Sequence, residues 1–175
     1  MNILETFADK TSNESLYEDA MSLVNSGDYN GALAAIAKMT GTFPAERRVI
    51  TLKASAYGGL CGFSFLTFVQ AMQGMGTARL LPFLSANFDY ASATKIDACI
   101  VAQNLIVSIG AVTDRTNDEN LFLALIALAK VGNILSYYAD PTKTGTATAG
   151  YNVCTVGASP RPAAGGSISD EDARE

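Results

Sequence analysis

Apolar residues recur three and four positions apart along much of the chain, the spacing that sets them on one face of an α-helix. Leu16, Ala20, Leu23 and Val24 mark a first helix over residues 13–25, and Thr11 with Glu14 has the spacing of a capping box. Gly27 permits a left-handed stop and Asp28 can cap the next start. Tyr29, Ala32, Leu33 and Ile36 then carry a second helix that ends near Met39. After the break at Gly41, Pro44 suits a first helical turn, where its missing N–H has no intrahelical partner. Val49, Leu52, Ala56 and Leu60 follow on a third helix.

From Gly58 to Gly76 glycines punctuate the chain and leave two short apolar pieces, 63–72 and 78–83, both expected to be helical. Residues 91–112 hold Ile96, Cys99, Val101, Leu105, Ile106 and Ile109, the pattern of a helix buried over much of its circumference. A last long helix starts near Asn117, with Asp118 and Glu119 at the positive end of its dipole. It continues through Leu121, Leu125, Leu128, Ile134 and Tyr138 until Pro141 stops it. Beyond Asp140 the chain turns to Thr, Gly, Ala, Ser and Pro, which bury too little apolar area to offset the entropy of ordering. Near Ile168, Ser169, Asp170 and Glu171 look like the capped start of a helix that is cut short at Glu175. The reading is therefore a single all-α domain over 1–140 and a flexible loop or tail over 141–175.

Large and small residues alternate in the first three helices at fixed positions. Leu16, Ala20 and Leu23 are followed by Ala32, Ile36, Met39 and Pro44, and Ala54 and Tyr57 recur 34 residues after Ala20 and Leu23. Small residues let paired helices approach and large ones fill the grooves between them. On these residues the segment 14–57 resembles a tetratricopeptide repeat followed by the opening helix of a second. Trp is missing at the first large position, and the chain after Leu60 leaves the pattern. A stable solenoid normally takes at least three repeats, so the later helices are expected to extend the hairpin into a closed α-helical bundle. In general character the chain is similar to bacterial tetratricopeptide-like lipoproteins of the cell envelope. That resemblance implies a periplasmic or outer-membrane location and an N-terminal lipid anchor on the native protein; a native start at Met1 would imply the cytoplasm.

Composition narrows the chemistry. The chain has 175 residues, 49% of them apolar, and carries a net charge of −5 with Lys and Arg scattered, which argues against a nucleic-acid partner. It has no histidine, so Ser-His-Asp and Cys-His machinery is excluded along with the commonest nitrogen ligand for zinc. Cys61, Cys99 and Cys154 are too far apart for a CxxC metal or redox motif. Cys99, in an apolar run, reads as a small buried thiol, and Cys61 with Cys154 forms the candidate disulfide in an oxidising compartment. No secretory signal is read in residues 1–10. Gln103, Asn104 and Lys130 interrupt the long apolar runs, so no transmembrane span is expected.

Phe63, Phe65, Phe68 and Met72 could line an apolar groove, and Tyr137 and Tyr138 could present a recognition ring, although core packing accounts for the phenylalanines more simply. Gly58, Gly59 and Gly62 suit close helix packing or a close backbone approach to a ligand. Asp114, Asp118 and Glu119 crowd one interhelical loop, but helix capping explains them better than a cation, since EF-hand spacing is absent. No catalytic residue, metal ligand or cofactor motif stands out. The expected function is a noncatalytic binding or scaffold protein that takes a partner peptide or apolar ligand between helices. The alternative is an envelope lipoprotein with a structural, assembly or transport-associated role.

Overall fold

The computed structural model describes residues 12–64 and 92–138, together with positions 70, 73, 84 and 88. The described residues form five α-helices and no strand: α1 (Asn13–Ser26), α2 (Tyr29–Ile36), α3 (Arg47–Leu60), α4 (Ala93–Val107) and α5 (Asn117–Tyr138). Phe63 and Ser64, at the start of the expected piece 63–72, are not helical; most of the rest of that piece, the piece at 78–83, the tail from 141 and the helix start near Ile168 lie outside the described residues.

Local chemistry sets the boundaries of α1 and α2. Gly27 takes a left-handed φ of 84° and its N–H meets the carbonyls of Leu23 and Val24, which closes α1. Asp28 then accepts the Gly31 N–H at 2.9 Å and opens α2. The cap at the start of α1 is Ser12 rather than Thr11: its hydroxyl accepts the Ser15 N–H at 3.2 Å. Glu14 is thereby released from the capping box and turns to Arg48 instead. α2 ends at Ile36, three residues short of Met39, where bonds between residues three apart tighten the chain into a turn. Pro44 sits in a separate 3₁₀ turn, Phe43–Ala45, ahead of α3. α4 is shorter than the apolar run 91–112 because the loop after it is tied by side chains: Asp114 accepts the Ala111 N–H, and Arg115 reaches the Gly110 carbonyl and Asn120.

Contacts between helix ends fix their directions. The Asn13 amide, at the start of α1, exchanges bonds of 2.9 and 3.1 Å with the backbone of Thr40, beyond the end of α2, so these two helices run antiparallel. Arg48, at the start of α3, reaches Glu14 at the start of α1, and its neighbour Arg47 reaches Glu119 at the start of α5. Past the end of α3, Cys61 is joined to Cys99 in the first half of α4. α1, α3 and α5 therefore run one way and α2 and α4 the other.

Two main cores fill the spaces between them. Leu16 and Ala20 meet Ala32, Ala35, Ile36 and Met39, with Val49, Leu52 and Ala56 from α3 completing the first. Ala20, Ala32 and Ala56 are fully buried, so only small side chains fit where the helices approach. The second gathers Cys61, Phe63, Leu84 and Phe88 with Ala98, Cys99, Ala102, Ile126 and Ala129.

Candidate functional site

The directions of α1, α3 and α5 leave a cleft on their side of the molecule, and α3 supplies its floor. Gly58 and Gly59 make this possible. A Cβ on Gly59 would fall 2.2 Å from the Tyr29 ring, and one on Gly58 would fall 3.1 Å from both Phe122 and Ile126. The glycine pair thus lets aromatic rings from α2 and α5 lie directly on the α3 backbone. Close packing of the helices is thus one role these glycines fill.

The cleft has a volume of about 680 Å³, within the range of small-molecule and peptide-anchor sites. Val24, Tyr29, Phe63, Phe122 and Leu125 give it apolar walls. Asn25, Ser55, Ser64 and Asp118 supply the polar groups, Asp118 being the sole charged lining residue among those described.

One end is rigid. Arg47 donates from Nε to Glu119 Oε1 at 2.7 Å and from Nη2 to Oε2, and Nη2 also meets the Asp114 carbonyl at 3.0 Å. Glu119 accepts the Thr116 N–H at 2.7 Å while its own N–H meets the Thr116 hydroxyl at 3.2 Å, a complete capping box at the start of α5. The Arg47 bond, opposed by burial and aided by Thr116, holds the Glu119 carboxyl down at about 2. Glu119 is thus engaged in helix capping and pairing, while the Asp114 carboxylate accepts the Ala111 N–H within the loop and Asp118 lines the cleft. Among the described residues no group of three or more His, Cys, Asp or Glu is placed to hold a metal ion.

Of the groove residues singled out from sequence, Phe63 and Tyr137 are the two whose side chains the structure describes, and they lie in different clusters. Phe63 is buried at the cleft wall. Tyr137 is half-buried in a separate small cluster with Ile96, Ile100 and Ile134, so the two rings do not share a surface. Phe65, Phe68, Met72 and the Tyr138 side chain lie outside the described residues. Cleft residues missed from sequence include Tyr29, Leu121, Phe122 and Leu125, which carried only the signal of core positions.

The disulfide is also a correction. Cys61 pairs with Cys99, not with Cys154, and Cys99 is not a lone thiol. The packing of α3 on α4 brings these two Cα atoms to 4.8 Å, and Cys154 lies outside the described residues. Asn133 of α5 closes over the bridge. Its amide donates to the Cys61 and Ala129 carbonyls at 2.9 and 3.0 Å and lies 3.6 Å from Cys99 Sγ.

The class these observations define is an all-α helical array. No protein-family model matches the chain, no curated protein is detectably similar in sequence, and no solved structure is detectably similar.

Proposed function

We propose that the chain is a noncatalytic, tetratricopeptide-like binding module that receives an apolar anchor of a partner peptide in the cleft over Gly58 and Gly59. The observation that carries this reading is the cleft itself: the rings of Tyr29, Phe63 and Phe122 gathered over the glycine-bearing end of α3, in helices whose starts are tied together by Arg47 and Arg48. A large apolar side chain gains most where it displaces water from such a concave surface. The alternation of α1, α2 and α3, with Ala20 and Ala32 at the close approaches, supports the tetratricopeptide-like part of the proposal.

The test is selection of peptides from a random library on the full chain, then titration of the enriched sequences by calorimetry into the protein and into Ser55→Trp. Ser55 lines the cleft half-buried, and an indole there would occupy it. Binding should vanish in the variant while its melting temperature stays near that of the parent. No enrichment, or peptides indifferent to the filled cleft, would remove the reading.

One observation favours the envelope as the place of action. A buried Cys61–Cys99 disulfide is the kind that persists in an oxidising compartment, which suits a periplasmic or outer-membrane lipoprotein with an assembly or transport-associated role. Acid-quenched cells, alkylated before reduction, should yield protein with Cys61 and Cys99 unmodified. Full alkylation of both in native cells would rule that location out.

A further inference from the structure

The cleft over Gly58 and Gly59 is charged at one end and aromatic at the other. On α5, Asp118, Leu121, Phe122 and Leu125 follow at steps of three, one and three, so they share the helix face that borders the cleft. Seven positions separate Asp118 from Leu125, a rise of about 10 Å along the helix. The rings of Tyr29 and Phe122 lie on Gly59 and Gly58 towards the end of α3, whereas Asp118 stands in the first turn of α5.

That carboxylate is uncompensated. Its neighbour Glu119 forms the capping box with Thr116 and takes up Arg47, so the helix start and the adjacent cation are both satisfied without Asp118. Among the described residues the ion pairs join Arg47 to Glu119 and Arg48 to Glu14 and Glu46, and no Lys or Arg lines the cleft. The α1 wall adds charge of the same sign. Val24 and Asn25 belong to the last turn of that helix, which carries no basic residue, and a helix C-terminus is equivalent to about half a negative charge. Asn25, Ser55 and Ser64 are neutral. A concave surface with apolar walls and one sign of charge concentrates its field on whatever enters it.

We infer that the partner is a basic peptide, an inference that rests on the reading of this cleft as a peptide site. Its apolar anchor sits among the rings over the glycines, and a Lys or Arg two or three residues away meets Asp118. Three extended residues span about 10 Å, the length of the cleft along α5. The anchor supplies the buried area and the cation supplies selection: an acidic residue at that place is repelled, and a neutral one leaves the carboxylate unpaired beside the bound chain.

The probe is a displayed library of random ten-residue peptides, selected on the full chain and on its variants Asp118→Lys, Glu18→Lys and Ser55→Trp. Glu18 is exposed on α1 and does not line the cleft, so its substitution makes the same change in net charge elsewhere. On the parent, Lys or Arg should be enriched two or three positions from an apolar anchor. On Asp118→Lys the anchor should persist with an acidic residue in that place, and Glu18→Lys should select as the parent does. The leading parental sequence is then synthesised with its basic residue or with norleucine, an uncharged side chain of similar length. On the parent the norleucine peptide should bind about three- to tenfold more weakly, with the gap narrowing at high salt, and on Asp118→Asn the two should bind alike. Should the lysine variant fail to fold, Asp118→Asn decides. Anchored peptides without a basic preference, or a preference lost equally in Glu18→Lys, would overturn the inference and leave the cleft as a peptide site. An empty selection on the parent, or peptides that still bind Ser55→Trp, would remove both.

Discussion

In the α1–α3 half, close packing of small and large apolar side chains does most of the work, and Met21 is its one strongly exposed large hydrophobic residue. In the α4–α5 half and its connecting loop the balance is different. Val101, Val107, Val112, Leu121 and Val131 are exposed there, while Glu119, Lys130, Asn133 and Ser136, the buried polar residues among those described, all belong to α5. The first half is a helical unit whose cohesion comes from area removed from water. The second shares an apolar core with the end of α3 and adds specific links to it: a covalent bridge, an amide over that bridge and a buried carboxylate on an arginine.

The largest test of this difference is the bridge. It closes a loop of 38 residues, and by loop entropy its removal should cost about 4 kcal/mol. In Cys61→Ala with Cys99→Ala, hydrogen exchange should quicken in α4 and α5 while the amides of α1 and α2 keep their protection. Equal loss in both halves would show one cooperative unit and erase the distinction.

Glycine substitutions sharpen it next. A Cβ on Gly132 in α5 would lie 2.0 Å from the Phe88 ring, so Gly132→Ala must displace a buried aromatic, at about 2 to 3 kcal/mol. Gly27, between α1 and α2, has φ at +84° with nothing within 4 Å of the added atom. Gly27→Ala meets backbone strain alone, about 1 to 2 kcal/mol. Chemical denaturation should rank them in that order, and the reverse ranking would mean that Phe88 moves aside freely.

Acid comes third. Glu119, held at about 2 in the folded state, has its ordinary value of 4.5 when unfolded, so the folded state resists protonation. A depressed carboxyl contributes stability above the unfolded value, and that contribution is lost as pH falls from about 4.5 through about 2. Arg47 is half exposed, which moderates the effect by solvent screening. The melting temperature should fall across that window by a few degrees more in the parent than in Glu119→Gln. Parallel curves would show that the pair contributes nothing to stability.

How much of this was legible in the sequence depends on how local each signal is. Gly27 and Asp28 set the α1–α2 turn with their own backbone and side-chain bonds, and both were readable. The start of α5 was readable too, because Asp118 and Glu119 act within one turn of the helix end. Thr11 and Ser12 are adjacent hydroxyl residues, and spacing alone favoured the one that completed a box with Glu14. That choice failed because Arg48, 34 positions away, takes the carboxylate. Cys99 looked like an inert thiol because its partner approaches only when α3 packs on α4. Likewise the cleft joins Tyr29 and Phe122, whose local patterns say only that they pack, to Gly59, whose close approach was readable but whose neighbours were not. Val131 and Lys130 are neighbours with opposite fates, and no periodicity rule would turn the lysine inward.

The smallest expected effect lies at the opposite side of α3. Arg48 makes more interactions than Arg47: it bonds Glu14 and Glu46 and places its guanidinium 5.0 Å from the Tyr17 ring centroid and 4.7 Å from that of Phe43. Glu14 is drawn below the usual carboxylate range by Arg48, yet both partners are well exposed, so water competes for every bond. The α1–α3 contact is carried by Leu16, Ala20, Val49 and Leu52 beneath them. Glu14→Gln should therefore leave the melting curve superimposable on the parent's, at low and high salt alike. A salt-sensitive drop comparable with that of Glu119→Gln would mean that ion pairs hold both flanks of α3, and that the two halves are assembled on the same principle.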